Sequence, residues 1–119
     1  MSFLAVAFGG AIGAMARYAI SLIPVKSTFP VLTFITNILG AILIGFVVGI
    51  ASQRDVSDNT MLFLKTGICG GFTTFSTFSL EAFNLFERRQ YAIAGTYVVL
   101  SCIFCIVGIL CGKKLASYV

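Results

Sequence analysis

Residues 66–81, TGICGGFTTFSTFSLE, decide how the rest of the chain is read. Fifteen uncharged residues separate Lys65 from Glu81, which as a straight helix would cover only ~22 Å against a hydrocarbon core of ~30 Å. The stretch is too short for a plain span. It also carries six hydroxyl side chains (Thr66, Thr73, Thr74, Ser76, Thr77, Ser79) and three glycines (Gly67, Gly70, Gly71), which a lipid-facing helix has no use for. Paired glycines followed by two threonines weaken helix propagation, and Ser and Thr hydroxyls can satisfy the backbone groups an interruption frees. The expectation is a membrane helix broken between Gly70 and Thr74. Such a break must be buried in protein or face a cavity, because freed N–H and C=O groups find no partner in lipid. It also turns carbonyls outward, where they can bind cations. Phe72, Phe75 and Phe78 recur at every third residue with Thr and Ser between them. The plainer alternative, an unbroken span with back-bonded hydroxyls and packing phenylalanines, stays open at this point.

Composition supports the membrane reading. The chain has 119 residues, 59% of them hydrophobic and 10% charged, and a mean hydropathy of +1.05, outside the range of soluble domains. One domain is expected over residues 1–119, with spans near 3–23, 31–51, 61–86 and 91–111. The net charge of +4 rests on eight basic and four acidic residues, too few and too scattered for a nucleic-acid surface. Histidine is absent, which removes the usual proton relay and the commonest transition-metal ligand. The N-terminal stretch lacks the basic region of a cleavable signal, so no processing is expected. Cys69, Cys102, Cys105 and Cys111 all fall in apolar segments. Cys102 and Cys105 form a C-x-x-C in mid-span, without the basic surroundings a redox thiol needs, and read as packing residues.

The distribution of Lys and Arg bears on orientation. Placing the N-terminus on one side puts Arg54, Lys65, Lys113 and Lys114 there, and Arg17, Lys26, Arg88 and Arg89 on the other. Basic residues in short loops set orientation, so this even split predicts insertion both ways up. A chain of mixed orientation with polar residues to bury pairs most naturally with its inverted copy. A fixed topology set by details the count misses is the alternative.

Several residues inside the spans are candidates for chemistry. Arg17 lies deep in the first span and is either an electropositive mouth that draws anions in or an interfacial anchor. Asn37, with Thr33 and Thr36 nearby, either knits helices together or contacts an ion. Tyr97, Ser101 and Cys105 share one helix face and read as a polar seam or the lining of a path, with the seam favoured. Glycine pairs four apart (Gly9 and Gly13, Gly45 and Gly49, Gly108 and Gly112) read as helix-packing sites. The first, second and fourth spans hold no carboxylate, which favours passive permeation over proton coupling. No nucleophile, base and acid constellation supports an enzyme. The donors beside the phenylalanines, and the electropositive ring edges themselves, favour an anion.

The motif GGFTTFSTF at residues 70–78, with Gly13 to Arg17 as G-x-x-x-R, Asn37 in the second span and Glu81 after the motif, resembles the Fluc family of bacterial fluoride channels, also called CrcB. The resemblance covers the whole chain. It implies an all-α membrane protein of four transmembrane helices with a broken third, assembled as an antiparallel, dual-topology homodimer in the bacterial cell membrane. It further implies two fluoride pores, passive fluoride export that confers resistance, and a structural sodium ion at the dimer centre. By position, the carbonyls of Gly70 and Thr73 would hold that sodium, and the ring edges of Phe75 and Phe78 would face fluoride. Asn37, Ser76 and Thr77 would add polar contacts, Tyr97 and Ser101 would form a polar track, and Arg17 would lie at the vestibule. Cys105 stands where that track can carry a serine. A small proton-coupled multidrug exporter is the competing mechanism; such proteins carry a glutamate in the first span, and this chain has none.

Overall fold

The computed structural model describes all 119 residues, and every regular element is helical. Helix α1 (Ser2–Ser21) leads into a loop with two prolines, and the second of them, Pro30, starts α2 (Val31–Ala51). Its ring fixes φ near the helical value and lacks the N–H that a helix start leaves unpaired. After a polar turn, Ser57 caps α3 (Asp58–Met61) by accepting from the Thr60 N–H at 3.3 Å, with Asp58 in the first turn where the helix dipole favours it. A π-helical stretch (Leu62–Cys69) and the single turn α4 (Gly70–Phe72) continue that arm without interruption. Thr73 and Thr74 are extended, and α5 (Phe75–Glu87) resumes the span beyond them. Arg89 takes a left-handed φ of 60° while the Gln90 N–H closes onto the Leu85 carbonyl at 2.9 Å. This six-residue closure ends α5. The chain then returns as α6 (Tyr91–Ala116), which extends past the expected end of the fourth span near residue 111.

Helices α1, α2 and α6 are each long and apolar enough to cross a membrane. The broken arm and α5 together supply the remaining crossing. Only 19 of the 119 residues are buried, so most of the apolar surface faces lipid or another chain.

The helices pack as two parallel pairs, each closed by glycines. In the first, α1 lies along the broken arm: a Cβ on Gly71 would come within 2.5 Å of the Gly10 carbonyl oxygen, and one on Gly67 within 2.8 Å of the Gly9 Cα. In the second, α2 lies along α6: a Cβ on Gly112 would come within 2.7 Å of the Phe46 nitrogen, and one on Gly49 within 2.6 Å of the Ala116 Cβ. Neither seam has room for a side chain. Such close approach is how helices gain van der Waals contact in lipid, where apolar burial alone drives little association.

The break falls later than the glycines suggest. Gly70 has helical angles (φ −65°, ψ −37°), and the chain leaves the helix only at Thr73. Gly67 and Gly71 are contact residues for α1 and stay helical; the interruption at Thr73 and Thr74 lies within the expected stretch, Gly70 to Thr74. A smaller core lies at the other end, where Phe78, Ala82 and Leu85 of α5 pack on Ala94 and Tyr97 of α6.

Candidate functional site

The break is held open by a side chain standing in for a neighbouring strand. The Thr74 N–H donates to Asn37 Oδ1 at 2.8 Å, and Asn37 Nδ2 donates to the Thr74 carbonyl at 3.0 Å. Asn37 thus offers the extended residue the donor and acceptor a β-ladder partner would offer. One N–H of its amide remains uncommitted. Below the break, the Thr73 hydroxyl donates back to the Cys69 carbonyl at 2.9 Å. Above it, Thr74 Oγ1 accepts from the Thr77 N–H at 3.1 Å and so caps α5. Arg17 Nε donates to the Gly71 carbonyl at 3.1 Å, and its charge is thereby tied to the backbone beside the break.

These bonds leave particular oxygens free. The Thr73 carbonyl receives no protein donor, and neither the Thr73 nor the Thr74 N–H reaches the Gly70 carbonyl. Gly70 itself faces open space, since a Cβ there would meet nothing nearer than the Lys65 carbonyl oxygen at 4.0 Å. Both residues line a cavity of about 380 Å3 that also takes in Asn37, Phe75, Phe78 and Ser101.

Phe75 and Phe78 lie side by side, with ring centroids 5.6 Å apart and planes tilted by 43°. Phe75 is 79% exposed, whereas Phe78 is packed against Tyr97 with centroids 5.1 Å apart. Tyr97 is fully buried and Ser101 nearly so, at 0% and 6% exposure, yet neither hydroxyl has a hydrogen-bond partner. An unpaired buried hydroxyl costs about 1–3 kcal/mol, and of the two on this helix face only Ser101 lines the cavity. Cys105 completes that face and lines the larger cavity. Ser76 is exposed, within 3.3 Å of Thr74 Oγ1, and Thr77 lines a second, smaller cavity with Arg17.

Some participants carry no mark in the sequence. Phe29 stacks edge-on against both Phe34 and Tyr97, at 5.2 and 5.3 Å, and nothing in its spacing announces this. The Thr33 hydroxyl donates to Glu81 Oε1 at 2.5 Å. That contact was within reach of periodicity, because Thr33 lies one helical turn before Asn37 on the same face of α2.

Fold and site together define a multi-pass protein of the cell membrane whose interrupted crossing carries its polar groups at the centre. A family model described as CrcB-like protein, Camphor Resistance (CrcB), matches residues 4–113. The chain belongs to this CrcB family. It is 45% identical to a fluoride-specific ion channel FluC of Ruminiclostridium cellulolyticum, over 98% of this chain and 93% of that protein. It is 38% identical to the protein of that name from Azobacteroides pseudotrichonymphae, over 95% of this chain and 94% of the relative. The Methanococcus aeolicus protein of the same name is 40% identical, over 92% and 90% respectively. These relatives are named as ion channels, not as enzymes.

Proposed function

We propose that the chain forms a fluoride-selective channel through which the anion leaves the cell passively, conferring resistance to it. The names of its relatives support fluoride as the ion. The observation that carries the anion reading from the site itself is the pair of buried, unpartnered hydroxyls on Tyr97 and Ser101 beside the Phe78 ring. Hydroxyl donors and the positive edges of aromatic rings suit an anion shedding its water. With no acidic side chain in α1, α2 or α6, passive flow is the simpler mechanism, and the exporter alternative gains nothing from the site.

The working unit in this proposal is an antiparallel homodimer with two pores. Support comes from the evenly divided basic residues, from the sparse burial of the protomer, and from the exposed Phe75 ring, which needs a second wall to confine an ion. A structural sodium at the dimer centre fits the residues present. The unclaimed Thr73 carbonyl and the Gly70 carbonyl would hold it, and the open space over Gly70 leaves room for the second copy's carbonyls. Oxygen ligands suit a hard cation, which would offset the mutual repulsion of the carbonyls. Arg17 and Thr77 in this reading line the approach from the small cavity, Asn37 and the exposed Ser76 add polar contacts beside the break, and Tyr97 and Ser101 belong to the path beyond the rings.

Purified protein in liposomes is expected to release fluoride without a pH gradient and to retain chloride. Equal release of the two anions would reject selectivity, and release that required a proton gradient would reject passive flow.

A further inference from the structure

Two cavities flank the break, and Thr74 belongs to the wall of both. The larger, about 380 Å3, holds the phenylalanine pair and Ser101; the smaller, about 60 Å3, is walled chiefly by Thr33, Thr36 and Thr77. Each has a single charged residue in its lining, and in each that residue is basic: Lys65 in the larger and Arg17 in the smaller. Their situations differ. Arg17 is half-buried and bonded to the Gly71 carbonyl, whereas Lys65 is exposed and its ammonium makes no hydrogen bond or ion pair within the protomer. Lys65 also lies well inside an arm that begins at Asp58. A charge at such a position turns toward water or a polar cavity, because lipid cannot hold it.

We propose that Lys65 is the anion-gathering cation of the second mouth, the counterpart of Arg17 across the break. The inference rests on the channel reading and deepens it. A small inorganic anion approaching the larger cavity meets one uncompensated positive charge and no negative one. The field of that charge, focused by apolar walls, raises the local anion concentration at that entrance. An ammonium is suited to this role as a compact, mobile charge that attracts an anion without clamping it in two places.

The test compares the parent with Lys65→Gln, Lys65→Arg and Lys65→Glu in liposomes, measuring fluoride release in dilute and in concentrated sodium isethionate. Lys65→Gln is expected to slow release about five-fold in dilute salt, a size typical of one screened charge a few ångströms from the path. Lys65→Glu should be slower still, and Lys65→Arg should match the parent. The differences should collapse in concentrated salt, where the Debye length falls to ~3 Å at 1 M. Should Lys65→Gln fail to elute as the parent does, Lys65→Met takes its place, being of similar length and uncharged. A Lys65→Gln that equals the parent at both salt levels overturns the inference, as does a Lys65→Arg as slow as Lys65→Gln, since either assigns the side chain a merely structural part. A parent that passes no fluoride sinks the channel reading and this inference with it. A conducting parent indifferent to Lys65 sinks the inference alone.

Discussion

The two glycine seams solve the same packing problem with opposite contents. Along α2 and α6, Gly45 and Gly49 face Ile109, Lys113 and Ala116 while Gly108 and Gly112 face Ala41, Ile42 and Phe46, and both helices run unbroken through the membrane. Along α1 and the broken arm, Gly9 and Gly13 face Gly67 and Gly71 at the same spacing, yet that arm ends at two extended residues within the span. Close packing is therefore not what interrupts the helix. The interruption comes from the groups added around the α1 seam: the Asn37 amide on Thr74, the Thr74 cap on α5, and Arg17 on the Gly71 carbonyl. A glycine seam brings backbones close enough for a side chain on one helix to reach the peptide of the next, and polarity decides whether that reach is used.

The comparison breaks most visibly if either seam is forced apart. Gly112→Val and Gly71→Val are both expected to cost about 3 kcal/mol or more, at the upper end for overpacking, because each new side chain lands on backbone with no room to move. Loss of the folded species in detergent, followed by size exclusion and thermal melting, would check this. Gly70→Ala beside them sharpens the point: the protomer has open space there, so its fold should survive while the proposed dimer weakens. If Gly70→Ala and Gly71→Val melt alike, the distinction between seam and centre is lost.

Releasing the clamp should come next in size. Asn37→Ala removes both hydrogen bonds to Thr74 and is expected to destabilise by about 2–3 kcal/mol. Asn37→Asp keeps the acceptor for the Thr74 N–H but sets a charged oxygen against its carbonyl, so it should destabilise at least as much. Amide exchange at Thr74 reports the difference directly, and a protected Thr74 amide in Asn37→Ala would show that the clamp is dispensable. The aromatic pair should matter least for the fold and most for flow. Phe75→Ile and Phe78→Ile are each expected to slow fluoride release about ten-fold, ~1.4 kcal/mol in barrier terms. Phe78→Ile should also lower the melting temperature, since Phe78 packs on Tyr97 while Phe75 is exposed. Unchanged release in both variants would remove the rings from the path.

The interruption itself was legible in residues 66–81, because too few apolar residues and too many hydroxyls cannot make an ordinary span. Its neighbourhood, residues 70–74, was legible too, but not which of those residues leave the helix. A glycine in a membrane helix reads alike whether it weakens that helix or admits another, and only the residue opposite decides; for Gly71 that residue is Gly10, far away in sequence. The threonines that do leave the helix are recognisable only beside Asn37, whose amide supplies what the helix no longer provides. The π-helical stretch over Leu62–Cys69 had no local signal either. It spaces Phe63, Ile68 and Phe72 along α1, a register that belongs to the pair and not to the strip of sequence. Tyr97 and Ser101 were visible as a polar stripe, but that their hydroxyls go unpartnered depends on what α2 and α5 place around them.

The Asn37 clamp has a bearing on motion. Extended residues between two helices usually make a swivel, yet here that peptide is fastened at both its N–H and its C=O to α2, and α2 is in turn locked to α6 along its length. The spot that looks most like a joint is thus fastened to the most extensively packed helix pair of the protein. In the proposed channel, side chains turning on that held backbone are the readier source of any change in throughput, and selectivity would be set when the chain folds.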